Sequence, residues 1–304
     1  MRIINVNSFL IKGDMIMYYN RKTKQYEEEL EYNKNLLSFL YNTVVGRCIL
    51  KIVTKRWFSN IKAKYHHSPK SKKDILPFIE KYNIQENKEY AKKNYKCFND
   101  FFIRQNTLII RNDSDNILPS PAESKLSFFP ITDDLKLYIK NSSYNIADIV
   151  GSEKFAQQFS NGICLVFRLS VNDYHRYHFI DNGQLLYHKK IDGVLHTVRS
   201  ISEKYKVFAH NTREVSILNT ENFGQIAQIE VGALLVGKIN NHNKQEFCKY
   251  DEKGYFEFGG STIVILINEK IKIDEDIVKA NNKGYETKVS LGEQIAIKQI
   301  TESV

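Results

Sequence analysis

The stretch GGSTIVILI, residues 259–267, decides the fold of this 304-residue chain. A glycine turn is followed by an apolar run rich in β-branched side chains, which is typical of a strand buried on both faces. Similar runs occur in GICLVFRLS (162–170) and AQIEVGALLVGKI (227–239). From about residue 118 onward such runs alternate with Gly, Asn and Asp, and helix-length patterns between them are few. We therefore expect a sheet-rich region there.

The N-terminal part of the chain has a helical pattern instead. Between about Glu28 and Phe102, apolar side chains recur every three or four residues, as in Leu37, Leu40, Tyr41, Val44, Cys48 and Ile52. The polar stretch HHSPKSKKD (66–74) separates two helical segments. We predict an α+β fold, with a helical N-terminal segment over residues 1–105 and a β-rich core with the candidate catalytic residues over 106–304.

The composition is that of a folded protein, with 42% hydrophobic and 26% charged residues. No signal-peptide pattern opens the chain, and Met15 or Met17 are alternative start sites to Met1. The cysteines are far apart, with no pairing suited to zinc. We expect all four to be reduced, buried thiols of a cytosolic protein, namely Cys48, Cys97, Cys164 and Cys248.

The net charge favours an anionic partner, because 44 Lys and Arg residues face 35 Asp and Glu residues. No zinc finger, RNP motif or basic heptad supports nucleic acid, so we favour an anionic membrane surface. Basic side chains suited to lipid phosphates cluster near Trp57 and Phe58, namely Lys51, Lys55, Arg56, Lys62 and Lys64. Arg47 and Lys51 interrupt the apolar pattern, so we expect no transmembrane helix. The alternative is that these helices pack only on their own core.

Two short motifs suggest chemistry. In GGST (259–262), the glycines expose the Gly260 carbonyl next to the Ser261 hydroxyl, although a GGS sequence alone is usually only a turn. In DYHRYH (173–178), two histidines three residues apart follow a strand and suit general acid and base work. They could equally be a metal pair or a polar-loop pair, although no third ligand is evident.

These motifs resemble those of the phosphatidylserine decarboxylases. Five blocks occur in that family's order: FNDFFIR (98–104), SPA (120–122), DYHRYH (173–178), VGALLVG (231–237) and GGST (259–262). The resemblance extends from about Tyr18 to Gly292.

The resemblance implies roles for individual residues. Ser261 would attack the Gly260 carbonyl, cut the chain between the two residues and become a covalent pyruvoyl cofactor. His178 would be the base for this cleavage, and His175 would serve the decarboxylation. Asp173 would either support the site or cap the loop.

Two positions depart from the family pattern. The acidic residue that orients the cleavage base is usually Asp followed by Gly, whereas here Glu123 is followed by Ser124. Leu usually precedes GST, and here the residue is Gly259. Glu123 stands at the position of the family's aspartate and is therefore the candidate acid. Its replacement of aspartate puts the orientation of the cleavage base in question.

The implied reaction converts phosphatidylserine to phosphatidylethanolamine and carbon dioxide through a Schiff base to the pyruvoyl group. The resemblance also implies a peripheral enzyme on the cytoplasmic face of the cell membrane, with its two cleaved pieces still associated. A homodimer is left open. Two alternatives stay open: a pyruvoyl decarboxylase acting on a soluble amino acid, and a non-processing lipid-surface binding protein.

Overall fold

The structure mixes helices with a large sheet, as the sequence pattern predicts. It is a computed structural model that describes residues 17–29, 34–82, 84, 94–105, 109–139, 142–198, 200–234, 238–259 and 261–299. Gly260 and residues 235–237, which carry parts of two sequence motifs, lie outside the described residues.

The described chain contains eighteen strands. In chain order they are β1 Met17–Asn20, β2 Gln25–Glu28, β3 Ile117–Pro119, β4 Ser124–Pro130, β5 Lys136–Ile139, β6 Ser142–Asn145, β7 Ile163–Leu169, β8 Arg176–His178, β9 Gly183–Ile191, β10 Arg213–Thr220, β11 Gly224–Val231, β12 Ile239–Asn241, β13 Glu246–Phe247, β14 Glu252–Phe256, β15 Ser261–Ile267, β16 Ile271–Ile273, β17 Glu286–Val289 and β18 Gln294–Lys298.

Nine α-helices accompany them in the described residues. They are α1 Lys34–Asn42, α2 Val44–Val53, α3 Arg56–His66, α4 Ile75–Lys81, α5 Phe98–Phe102, α6 Ile146–Val150, α7 Glu153–Ala156, α8 Val207–His210 and α9 Glu275–Asn282. The stretch 66–74 does separate two helices, because α3 ends at His66 and a 3-10 helix, Pro69–Asp74, precedes α4.

Ten strands form one sheet in the order β13-β9-β10-β11-β15-β7-β4-β17-β1-β2. Its pairs are antiparallel except for β1 with β17. Smaller sheets have the orders β12-β14-β8, β16-β18-β3 and β5-β6. Because β1 and β2 join the large sheet, the first 105 residues are not wholly helical, and the division into two regions stays a prediction.

The large sheet is buried on both faces at its centre. In β15, Ile263, Ile265 and Ile267 pack in one hydrophobic cluster, and Val264 and Leu266 pack in a second cluster on the opposite face. This arrangement explains why STIVILI is a continuous apolar run rather than an alternating one.

The N-terminal helices have one packed face and one exposed face. On the packed face, the Tyr41 hydroxyl accepts a hydrogen bond from the Thr197 N–H at 3.0 Å. On the other face large apolar side chains are exposed, including Leu36, Phe39, Val44, Val45, Ile49, Ile52, Trp57, Ile61 and Tyr65. No single described helix is long and apolar enough to cross a membrane; α1 residues 35–42 and α2 pass that test only as a pair bent by 103°.

The four cysteines are unpaired, but burial was predicted correctly for only two of them. Cys97 and Cys164 are buried, whereas Cys48 and Cys248 are exposed. Cys48 lies on the exposed side of α2, whose apolar pattern suggested burial.

Candidate active site

Three neighbouring strands bring distant residues to one edge of the large sheet. Lys125 in β4, Arg168 in β7 and Thr262 in β15 lie in one row. Since β4 and β15 are both antiparallel to β7, they begin at the same edge. Glu123 precedes β4 there, and Ser261 begins β15 there. Because β7 lies between β4 and β15 and neighbouring strands are separated by about 4.8 Å, the backbones of Glu123 and Ser261 are about 10 Å apart.

The histidine motif reaches the same edge through the chain that follows β7. The His178 N–H donates to the Pro121 carbonyl at 2.9 Å, and the Phe256 N–H donates to the His175 carbonyl at 3.0 Å. The DYHRYH segment therefore lies between the chain that leads to Glu123 and the chain that leads to Ser261.

His175 is fixed in one tautomer. Its Nδ1 lies 2.8 Å from the Asp173 carbonyl oxygen, which can only accept, so Nδ1 carries the proton. Burial lowers the pKa of His175 to about 4, although the backbone at Asp173 and at Gly259 opposes this shift. The ring is thus neutral at pH 7, and its unprotonated Nε2 is available as a base. Phe102 packs against the ring, with centroids 4.3 Å apart.

His178 is also buried and neutral at pH 7. Burial lowers its pKa to about 4, Glu252 and Asp251 oppose the shift, and Arg176 and Arg111 add to it. Glu252 lies directly opposite His178 in the pairing of β8 with β14. The Glu252 carboxylate is held by Arg176 Nη1 at 2.6 Å. Glu252 is therefore an acid near His178 that the sequence motifs did not indicate.

Ser261 begins β15 with its side chain fully buried. Its Oγ, His175 Nε2 and His178 Nδ1 are buried atoms with no hydrogen-bond partner among the described residues. Unpaired buried polar groups are rare in folded proteins and therefore call for an explanation, such as a catalytic role. Gly259 has φ of 144°, a conformation that favours glycine, and it gives the chain entering Ser261 a shape that other residues resist.

Glu123 is partly exposed, and its carboxylate lies 3.8 Å from the Lys288 ammonium. The structure thus brings Glu123 to the edge of the sheet shared by His178 and Ser261. It also places a cation beside the carboxylate, which the sequence did not indicate.

Asp173 is buried and caps the loop after β7. Its carboxylate accepts the Ser170 N–H at 2.7 Å and pairs with the Lys125 ammonium at 2.7 Å. Its backbone carbonyl meanwhile orients His175. The loop-capping and site-supporting interpretations of Asp173 are therefore compatible, because different atoms would serve each purpose.

The two histidines are not part of a metal cluster in the described chain. No group of three or more His, Cys, Asp or Glu side chains there is placed to hold a metal ion. The groups at this edge are instead a buried hydroxyl and two neutral imidazoles, which are suited to proton transfer and to attack on a carbonyl.

Comparison with known proteins identifies relatives over nearly the whole chain. The family model described as phosphatidylserine decarboxylase matches residues 98–297. "Phosphatidylserine decarboxylase proenzyme 2" of Clostridium acetobutylicum is 51% identical over 285 residues, covering 92% of this chain and 98% of the relative. "Phosphatidylserine decarboxylase proenzyme" of Clostridium kluyveri is 40% identical over 296 residues, covering 93% and 99%. That of Clostridium tetani is 41% identical over 294 residues, with the same coverage.

Proposed function

Since the chain belongs to the phosphatidylserine decarboxylase family, we propose that it cuts itself between Gly260 and Ser261 and then converts phosphatidylserine to phosphatidylethanolamine and carbon dioxide. The observation that carries this proposal is the buried, unpaired Ser261 hydroxyl at the edge of the sheet where two neutral histidines lie. The word "proenzyme" in the relatives' names supports a processing step.

Self-cleavage uses groups of this chain alone. His178 takes the Ser261 hydroxyl proton, and Oγ attacks the Gly260 carbonyl to replace the peptide bond with an ester. Elimination then removes the serine α-proton and breaks the bond between Oγ and the serine β-carbon, which leaves a carboxylate at Gly260 and a dehydroalanine at residue 261. Water adds to the imine tautomer of this residue and ammonia leaves, so that residue 261 becomes the pyruvoyl group. The low pKa of His178 keeps its ring unprotonated and ready to accept that proton. Glu123 is proposed to orient His178.

The pyruvoyl group formed at residue 261 would supply an electron sink for the electrons left when carbon dioxide departs. His175 would transfer a proton between the substrate ammonium and the substrate α-carbon. Because its Nε2 is unprotonated, it can take a proton from the substrate ammonium and later return it to the substrate α-carbon. Phe102 covers the ring and helps to keep bulk water from it.

We place the enzyme at the cytoplasmic face of the cell membrane as a peripheral protein, with phosphatidylserine drawn from that surface. The exposed side chains of Trp57 and Ile61 support this, as does an open surface cavity of about 420 Å³ lined by Phe58, Ile61, Lys62 and Tyr65. Lysines beside apolar side chains suit an anionic lipid surface.

The first experiment measures the intact mass of purified protein and the formation of phosphatidylethanolamine from phosphatidylserine vesicles. The wild-type chain should give two pieces and release carbon dioxide. Ser261→Ala should remain one inactive piece, whereas Ser216→Ala, a buried serine of β10, should still be processed. An unprocessed wild-type chain would favour the lipid-binding alternative, and activity on free serine would favour the soluble-substrate alternative.

A further inference from the structure

A buried ionic cluster connects the N-terminal strand pair to the loop that carries His175. The Glu29 side chain, only 3% exposed, follows directly after β2. Its carboxylate is 2.7 Å from Arg168 Nη2 and 3.9 Å from Lys125 Nζ, and it accepts a hydrogen bond from the Ser170 hydroxyl. Burial opposes ionisation, but the charges of Arg168 and Lys125 keep the pKa of Glu29 far below its usual range.

Ser170 links this cluster to the loop that carries His175. Its hydroxyl also accepts a hydrogen bond from Lys125 Nζ at 3.1 Å, and its N–H is bound by the Asp173 carboxylate at 2.7 Å. The Asp173 N–H in turn donates to the Ser170 carbonyl at 2.9 Å, which closes a tight turn. The Asp173 carbonyl then holds His175 Nδ1. The contacts thus run without a break from Glu29 to the imidazole.

A purely stabilising role explains this cluster poorly. Burying ionised groups carries a desolvation cost, and apolar side chains of similar volume often stabilise a fold equally well. The cluster also has three carboxylates for two cations, since Arg168 pairs with Glu286 and Lys125 pairs with Asp173 without any help from Glu29. What Glu29 adds is a fixed acceptor for Ser170.

We infer that Glu29 is a positioning residue: by binding Arg168 and Ser170, it fixes the Ser170–Asp173 turn and, through it, the tautomer and orientation of His175. The role in turnover rests on the proposed function. The orientation of the His175 ring does not depend on it and can be measured separately.

The test compares Glu29→Ala with Glu29→Gln and with Glu28→Ala, which removes the neighbouring exposed carboxylate. Glu29→Ala should lower kcat at least tenfold with KM within about twofold, because a misplacement of about 1 Å in a positioned group can cost about 10²-fold. Glu29→Gln keeps the acceptor for Ser170 and should recover most of the rate. Glu28→Ala should match the wild type.

Ring ¹⁵N signals of His175, assigned with His175→Gln, give a readout that is independent of turnover. They should show a protonated Nδ1 in the wild type and in Glu28→Ala, and a mixture of tautomers in Glu29→Ala. If Glu29→Ala does not fold, Ser170→Ala removes the same link while leaving the pairing of Glu29 with Arg168, and it should shift the same signals.

Unchanged His175 signals together with unchanged kcat in Glu29→Ala would overturn the inference. So would equal loss of rate in Glu29→Ala and Glu29→Gln that follows a drop in melting temperature, because that pattern belongs to a structural role. If the wild type processes but does not decarboxylate phosphatidylserine, the proposed function fails, whereas the ring signals still decide the role of Glu29.

Discussion

Self-cleavage should be almost insensitive to mild acid. The base assigned to this step, His178, is buried, and its pKa is lowered to about 4. A histidine with an unperturbed pKa of about 6.5 would lose most of its basic form between pH 7.5 and pH 5.5. Burial therefore predicts a rate that is nearly constant over this range.

The expected difference is large enough to measure. With a pKa of about 4, about 97% of His178 is unprotonated at pH 5.5, whereas with a pKa of about 6.5 only about 9% would be. The unshifted case therefore predicts a rate at pH 5.5 about tenfold below the rate at pH 7.5. The buried case predicts a change of only a few per cent, with the decline beginning near pH 4.5.

The assay starts from uncleaved chain made by cell-free translation, which is stopped and exchanged rapidly into buffers from pH 4 to pH 8. The appearance of the piece 261–304 is then timed on denaturing gels. Circular dichroism at each pH checks that the chain stays folded. A tenfold decline by pH 5.5, with an apparent pKa near 6.5, would refute the reasoning for His178.

Other predictions concern single residues. His178→Ala should block cleavage, whereas His175→Ala should cleave at least partly but decarboxylate poorly. Decarboxylation is followed as carbon dioxide release, and a normal rate in His175→Ala would contradict the role assigned to His175. Glu123→Gln should strongly slow the appearance of the small piece. If Glu123→Gln instead matches the wild-type rate and Glu252→Gln is slow, the residue that orients His178 is Glu252, which lies opposite it in β14. The fraction of protein that sediments with anionic vesicles should fall at high salt, and it should fall further in Trp57→Ala than in the wild type. Equal binding to neutral vesicles at both salt levels would contradict an electrostatic contribution.

The sequence predicts strands well where burial on both faces produces long apolar runs. STIVILI matches β15 residue for residue, and GICLVFRLS extends one residue beyond β7 at each end. Of the run AQIEVGALLVGKI, β11 includes only residues 227–231. The sequence does not predict β1 and β2, the last two strands on one side of the sheet. MYYN and QYEE are short, polar segments and lack a strong alternating pattern. Their place depends on long-range pairing of β1 with β17, which no local pattern encodes.

The candidate site was predictable only in part, for a similar reason. The motifs indicated Ser261 and both histidines, and the strand order explains how these residues reach one edge. Arg168 inside the apolar run ICLVFRL was a signal for a buried ion pair. Its partner Glu29 could not be identified, because the contact joins positions 139 residues apart.

The sheet order also determines what should happen to the piece 261–304 after cleavage. It contains β15, which lies between β11 and β7, and β17, which lies between β4 and β1. The five side chains of residues 263–267 are fully buried, and each contributes about 1.5–3 kcal/mol, on the order of 10 kcal/mol together. Loss of the piece would also open the sheet at two places. We therefore expect both pieces to elute together on size exclusion and to separate only when denaturant unfolds the sheet. Elution of the small piece alone in native buffer would show that cleavage is followed by rearrangement of the sheet.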